Sequence, residues 1–221
     1  MTIINWNVGR PSKNRGGKIL EELNKRDADI IVLTETNSSI VPHGDYHLVS
    51  TKPLPKGFEG IDYKDGEIRT SIWTKYPVGE HYSTYNDKTS VCADIKTESG
   101  VLTVYATIIG ILGGTKPPFK QDLEFQLKDF DGLFPGKQVC IIGDYNITFT
   151  GRAYPSLLAR QTLNNVFEKF KLTNLTASKT GWVDHIAISS DFIGNKKVSF
   201  QNLNKKDELS DHIGACAMIT E

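Results

Sequence analysis

The residues best suited to chemistry stand where apolar runs end. Val139-Cys140-Ile141-Ile142 reads as a short buried strand, and Gly143-Asp144-Tyr145-Asn146 follows it directly. A carboxylate and an amide two positions apart share one side of an extended chain, so Asp144 and Asn146 would meet just beyond a strand end. Open α/β proteins hold their ligands there. The same pair also makes an Asx turn, so this stretch alone does not decide its use. Similar residues recur at other strand ends: Asn7, Glu35, and Asp211 with His212, while Asp184 lies within Trp182-Val183-Asp184-His185-Ile186. Three carboxylates gathered at one sheet edge repel, and two tend to keep a proton. A divalent cation relieves that repulsion. Oxygen donors with no cysteine and little histidine favour Mg²⁺, Mn²⁺ or Ca²⁺ over zinc. The remaining groups are then available for acid, base and charge-stabilising work.

The elements that must position these residues follow from periodicity. Ile3 to Val8 predicts a strand, Lys18 to Lys25 an amphipathic helix with Ile19, Leu20 and Leu23 on one face, and Asp29 to Thr34 a second strand. Strand, helix, strand favours a parallel pair joined by a right-handed crossover. Pro42 to Asp65 lacks period and reads as loop with short strand pieces, suited to substrate-facing structure. Strands are expected at Ile68–Thr74, Ser90–Lys96 and Val101–Ile109, the last two joined by a turn at Glu98-Ser99-Gly100. Gly110 to Phe119 reads as a loop, and Gln121 to Phe130 as a helix. Pro155 to Phe170 predicts another helix, with Leu157, Leu158, Leu163, Val166, Phe167 and Phe170 as a core stripe. Further strands are expected at Val183–Ser189, Lys197–Phe200 and Ile213–Ile219. Roughly nine strands and three or four helices suit one domain, residues 1–221, built as an α/β sandwich of two packed sheets with helices outside.

The 26 basic residues balance 26 acidic ones, so no global positive field argues for nucleic acid. A basic loop is expected after Asn7, with Arg10, Lys13, Arg15 and Lys18. They read equally well as a solvated face and as contacts to a phosphate backbone. Arg69 is a further candidate for a phosphate contact. Cys92, Cys140 and Cys216 each sit in an apolar run without metal-site spacing, as buried reduced thiols of an intracellular protein do. The opening Met1–Asn5 has no basic region followed by an apolar core, so no secretory leader is expected. The apolar runs are too short to span a membrane. A cytoplasmic monomer is the expectation.

Taken together in this order, the motifs resemble the endonuclease/exonuclease/phosphatase superfamily, whose members include deoxyribonuclease I, exonuclease III and the inositol-polyphosphate 5-phosphatases. Asn5-Trp6-Asn7, Leu33-Thr34-Glu35-Thr36, Arg69-Thr70-Ser71-Ile72-Trp73, Gly143-Asp144-Tyr145-Asn146, Trp182-Val183-Asp184-His185-Ile186 and Ser210-Asp211-His212 carry the resemblance over nearly the whole chain. It implies a four-layer α/β sandwich, two mixed sheets flanked by helices, and Mg²⁺- or Mn²⁺-dependent hydrolysis of phosphoester bonds. It implies that Glu35 ligands the metal with Asn7 and Asp211 nearby, and that Asp144 orients and deprotonates the attacking water. Asn146 and His212 would bind phosphate oxygens, and Asp184 would orient His212. Arg10, Arg15 and Arg69 are the substrate-binding candidates. DNA or RNA is the expected substrate, with a small phosphorylated molecule or a non-catalytic binding role as alternatives. The resemblance also exposes a departure: the strand Val101–Ile109 places Ile108 where the family commonly has His or Tyr against the scissile phosphate. Isoleucine neither donates a hydrogen bond nor carries charge. Tyr105, three residues away, is expected on the opposite face. His185, facing away from Asp184, reads as structural or surface.

Overall fold

The computed structural model describes residues 1–111, 117–204 and 208–221. The chain opens with β1 (Thr2–Asn7), α1 (Lys13–Asn24), β2 (Ile30–Asn37), β3 (His47–Ser50), β4 (Glu67–Thr74) and β5 (Val78–Tyr82). It continues through β6 (Val91–Thr97), β7 (Gly100–Ile108), α2 (Pro117–Leu133), β8 (Val139–Asp144) and α3 (Leu157–Lys169). It closes with β9 (Leu172–Asn174), β10 (Asp184–Ser189), the single turn α4 (Ser190–Ile193), β11 (Lys197–Asn202) and β12 (Ala215–Thr220).

Two six-stranded sheets result, ordered β11-β12-β1-β2-β4-β3 and β5-β6-β7-β8-β10-β9. β1 and β2 pair in parallel across the α1 crossover, and β7 and β8 pair in parallel across α2. The other pairings are antiparallel, so both sheets are mixed. Alternation along each strand then sorts the residues into layers. Ile3, Val32 and Ile72 of the first sheet meet Val104, Ile142 and Ile186 of the second in a shared core. The opposite face of β1 and β2, with Ile4, Trp6, Ile31 and Leu33, packs on Ile19 and Leu23 of α1. The outer face of the second sheet, with Tyr105, Ile141 and Ala187, is covered by Phe130 of α2 and Leu163 and Phe167 of α3. The four layers expected from the sequence are therefore present.

Local readings differ in places. α1 starts at Lys13 because the Ser12 side chain caps it, accepting from the Arg15 backbone N–H. Lys13, Arg15 and Lys18 thus belong to a helix and not to a loop. In α3, Leu157 and Leu158 are 58% and 71% exposed, against the expected core stripe. They occupy its first turn, and the buried face begins at Ala159 and Leu163. The described residues hold twelve strands. β5 and β9 escaped the sequence reading because one alternates poorly around Gly79 and the other has three residues. Residues 112–116 of the expected Gly110–Phe119 loop lie outside the described residues.

Candidate active site

Asn5 and Asn7 face the second sheet from the end of β1. The Asn5 Nδ2 donates to the Gly143 and His185 carbonyls at 3.0 and 3.1 Å, tying the two sheets together. Two residues on, the Asn7 Nδ2 donates to Glu35 Oε1 at 3.2 Å and to Asp144 Oδ2 at 3.0 Å. One amide therefore joins carboxylates from opposite sheets. Its own oxygen accepts from the Gly9 N–H at 2.9 Å. Glu35 reaches this point from a left-handed backbone, φ 48°, a conformation that costs about 1–3 kcal/mol in a non-glycine residue and recurs at functional sites.

Asp144 and Asn146 converge by a turn. Asn146 is left-handed at φ 50°, and its N–H donates to Asp144 Oδ1 at 2.9 Å. The Asx turn and the convergence are thus one structure. The Asn146 Nδ2 donates to the Ile109 carbonyl at 3.0 Å and lies 3.4 Å from Asp144 Oδ2. The preceding glycine is required sterically: at Gly143, φ 141°, a Cβ would lie 1.9 Å from the Thr107 carbonyl oxygen.

Across the β8–β10 pair, Asp184 stands directly opposite Asp144. Burial and then the Asp184 charge push Asp144 up to about 7, although His212 pulls the other way. Burial also raises Asp184. The relieving cation is His212, whose Nδ1 lies 2.5 Å from Asp184 Oδ2. Burial opposes its charge, but the Asp184 hydrogen bond and the surrounding carboxylates outweigh that and raise it to about 10. Ligand atoms of Asp144, Asp184 and His212 all lie within 4.8 Å of one another. The His212 backbone is fixed from behind: its carbonyl accepts from Trp6 Nε1 and Asn204 Nδ2, and its N–H donates to Ser210 Oγ. The Ser210 hydroxyl in turn donates to the Asn7 carbonyl at 2.8 Å. Asp211 is exposed, and a Cβ on Gly9 would lie 3.1 Å from its Oδ1, so its carboxylate stands beside the Asn7–Gly9 turn.

A sequence profile of the Endonuclease/Exonuclease/phosphatase family matches residues 4–212. The chain belongs to this family. Its fold is shared with a 3'-5' exonuclease (NExo) from Neisseria meningitidis, with TM-score 0.71, 17% identity and 100% of both chains covered. An AP endonuclease from Archaeoglobus fulgidus superposes at TM-score 0.69 and 14% identity over 99% of each chain. An endonuclease/exonuclease/phosphatase family protein from Leptotrichia buccalis gives 0.71 and 13% over 100% of each. Comparison with curated proteins gives no match. At these identities the structural likeness is one of fold.

Within this endonuclease/exonuclease/phosphatase chain the site is rich in oxygen donors. The buried Asp184 Oδ1 has no hydrogen-bond partner among the described residues, and Glu35, Asn7 and Asp211 present three further oxygen-bearing groups from neighbouring strand ends. Such a donor set fits a hard divalent cation. Ile108 pairs with Asp144 in the β7–β8 register, is buried, and shares a cavity wall with Glu35. Tyr105 lies on the other face, donating to Asp129 Oδ2 at 2.7 Å. The arginines are less free than their sequence positions suggest. Arg69 is buried and paired with Glu59, Tyr63 and Thr89. Arg10 bonds Glu67 at 2.9 Å, and Arg15 donates to the Gly9 carbonyl. Lys13 and Lys18 are exposed and form no ion pair among the described residues. His185 is buried; its Nε2 faces the Ile147 and Trp182 carbonyls, which only accept, so that nitrogen carries the proton and Nδ1 accepts from Thr176 Oγ1. The supporting roles of Asn5, Ser210 and Asn204 escaped the sequence reading. Asn5 had one signal, its place two residues before Asn7 on the same strand face.

Proposed function

We propose that this phosphoester hydrolase is a divalent-metal-dependent nuclease that cleaves DNA or RNA by attack of an activated water. The observation that carries the reading is the Asn7 amide joining Glu35 to Asp144 beside the Asp144–Asp184–His212 cluster. Glu35, with Asn7 and Asp211 nearby, would hold Mg²⁺ or Mn²⁺. When bound, that ion neutralises phosphate charge and acts as a Lewis acid. Asp144, held by the Asn7 amide and the Asn146 N–H, orients the water and takes its proton. His212, fixed by Asp184, presents a positive ring edge to the phosphate oxygens as negative charge develops. Asn146, already engaged with the Ile109 carbonyl, both shapes the Asp144 turn and offers its amide to the phosphate.

Nucleic acid is the favoured substrate for two reasons. Proteins of similar fold include an exonuclease and an AP endonuclease. Lys13 and Arg15 also occupy the first turn of α1, where the helix dipole disfavours cations, a position better explained by an anion outside the protein. Arg10, Arg15 and Arg69 then serve substrate binding chiefly by shaping the rim. The working form is proposed as a cytoplasmic monomer of one domain spanning residues 1–221; no described helix is long and apolar enough to cross a membrane. The test is a panel of supercoiled plasmid, abasic duplex, single-stranded RNA and DNA, and bis-p-nitrophenyl phosphate, each with Mg²⁺, Mn²⁺, Ca²⁺ or EDTA. Cleavage of a nucleic acid that EDTA abolishes is expected. Hydrolysis confined to the small ester would move the assignment to a small phosphorylated substrate, and inactivity throughout would leave a binding protein.

A further inference from the structure

α2 gives Phe119, Leu123 and Phe130 to the core outside the second sheet, and Gln126 is buried along with them. An amide placed there is costly unless it is hydrogen-bonded. The Gln126 Nε2 donates to the carbonyl of Ile108, the last residue of β7, at 3.1 Å. One helical turn earlier, Asp122 stands on the same side of α2. Its Oδ2 accepts from the Gly110 N–H at 3.1 Å, and its Oδ1 from the Tyr85 hydroxyl at 3.3 Å. Burial raises the Asp122 pKa, and the hydrogen bonds from Gly110 and Tyr85 oppose that rise.

The short segment Ile108-Ile109-Gly110 is thus clamped at both ends, and its middle residue bonds the candidate active site. The Ile109 N–H donates to the Asp144 carbonyl at 2.9 Å, and the Ile109 carbonyl accepts from Asn146 Nδ2 at 3.0 Å. The Gly110 carbonyl lies 3.5 Å from the same nitrogen. A carbonyl only accepts, so the NH2 end of the Asn146 amide faces this segment. That end carries two N–H groups; the bond to Ile109 occupies one and fixes the direction of the other. Gly110 is left-handed at φ 72°, and a Cβ there would lie 2.4 Å from the Phe119 ring, so α2 also packs directly on the turn.

We infer that Asp122 and Gln126 are positioning residues for Asn146: by holding the Ile108–Gly110 backbone from the α2 side, they set the orientation of the amide that meets the phosphate. The hydrogen bonds of Asn146 itself go to Asp144, Ile109 and Gly110, so both α2 residues act through the intervening backbone. The phosphate contact of Asn146 rests on the hydrolase reading; the way its amide is held does not.

Asp122→Ala and Gln126→Leu each remove one clamp. Asp122→Asn keeps an oxygen acceptor for the Gly110 N–H, and Glu124→Ala, exposed on the same helix, is the control. NMR of isotope-labelled protein in EDTA reads the side-chain NH2 signals of Asn146, assigned by their loss in Asn146→Ala. They should shift when either clamp is removed, stay in place in Glu124→Ala, and lie nearer the wild type in Asp122→Asn. With Mg²⁺ and bis-p-nitrophenyl phosphate, each clamp variant should lower kcat on the order of tenfold, as loss of an outer hydrogen-bond partner does, with KM near the wild-type value. Asp122→Asn should recover most of that loss. Added to Asn146→Ala, neither clamp variant should lower kcat further, because its effect passes through the missing amide. Asp122, which is only half-buried, carries the test if Gln126→Leu does not fold. Losses that multiply in the double variants would make both residues part of the general framework and overturn the assignment. An active wild type whose kcat or Asn146 signals are unmoved by removing a clamp would overturn it too, and would leave the hydrolase reading standing. If the wild type hydrolyses no ester, the hydrolase reading fails instead, and the NH2 signals alone decide whether α2 holds the Asn146 amide: shifted signals support it and unshifted ones refute it.

Discussion

His212 and Asp184 form the shortest polar contact of the cluster at 2.5 Å, and the chemistry of both depends on the other. His212→Ala should lower turnover on a phosphodiester on the order of a hundredfold to a thousandfold, as loss of one charge-stabilising group does. Asp184→Asn should lose a large part of it, and the double variant should fall well short of the product of the two, because the pair acts as a unit. Single-turnover rates of the four proteins check this; independent, multiplying effects would refute it. Ile108 poses the converse question. It is buried opposite Asp144 and borders open cavity beside Glu35, so a ring has room there. Ile108→His should raise kcat on bis-p-nitrophenyl phosphate, and an unchanged or lower kcat would refute the reading of this position. A structure of the variant with the imidazole turned away from Glu35 would account for no gain.

Gly143 shows how an element serves the site. β8 can approach β7 because no side chain stands at this position, and a Cβ would fall 1.9 Å from the Thr107 carbonyl oxygen, at a φ that disfavours any L residue. Gly143→Ala should therefore destabilise by on the order of 3 kcal/mol, combining overpacking with backbone strain. Urea unfolding measures it, and activity should fall further than stability because Asp144 is the next residue. β10 carries a second device. The neutral His185 ring is buried, and burial pushes its pKa down to about 4 from 6.5. A depressed folded value means that the unfolded chain binds the proton first as pH falls. Stability from this residue is thus complete above pH 6.5 and is lost down to about pH 4, at up to about 1.4 kcal/mol per pH unit. His185→Gln should be less stable at neutral pH but flatter between pH 6.5 and 4, as read by urea midpoints across that range.

At the scale of the whole molecule, charge is balanced but locally uneven. Lys13 and Lys18 project from α1, while Arg10 is neutralised by Glu67. Replacing both lysines with alanine should flatten the salt dependence of nucleic-acid binding by about one unit of slope per lost contact. An unchanged slope would make them a solvated face. Much of this molecule was legible in the linear chain. Short apolar runs, ended by Asn7, Glu35 and Asp144, specify buried strands with polar tips, because run length and strand ends are local properties. The crossover β1–α1–β2 followed for the same reason. What the chain alone left open depends on contacts between distant residues. Whether Asp144 and Asn146 form a turn or a site was undecidable until the left-handed Asn146 made them both. The Asn7 amide joins two sheets through partners 28 and 137 residues away, and Asn204 holds His212 from a loop with no pattern. Leu157 and Leu158 look like core and are not, since a helix stripe records which face is apolar and not where the neighbouring sheet ends. The cavity beside Glu35 is the strongest case: its lining comes from β2, β4 and β7, segments far apart in sequence that only the tertiary packing brings together.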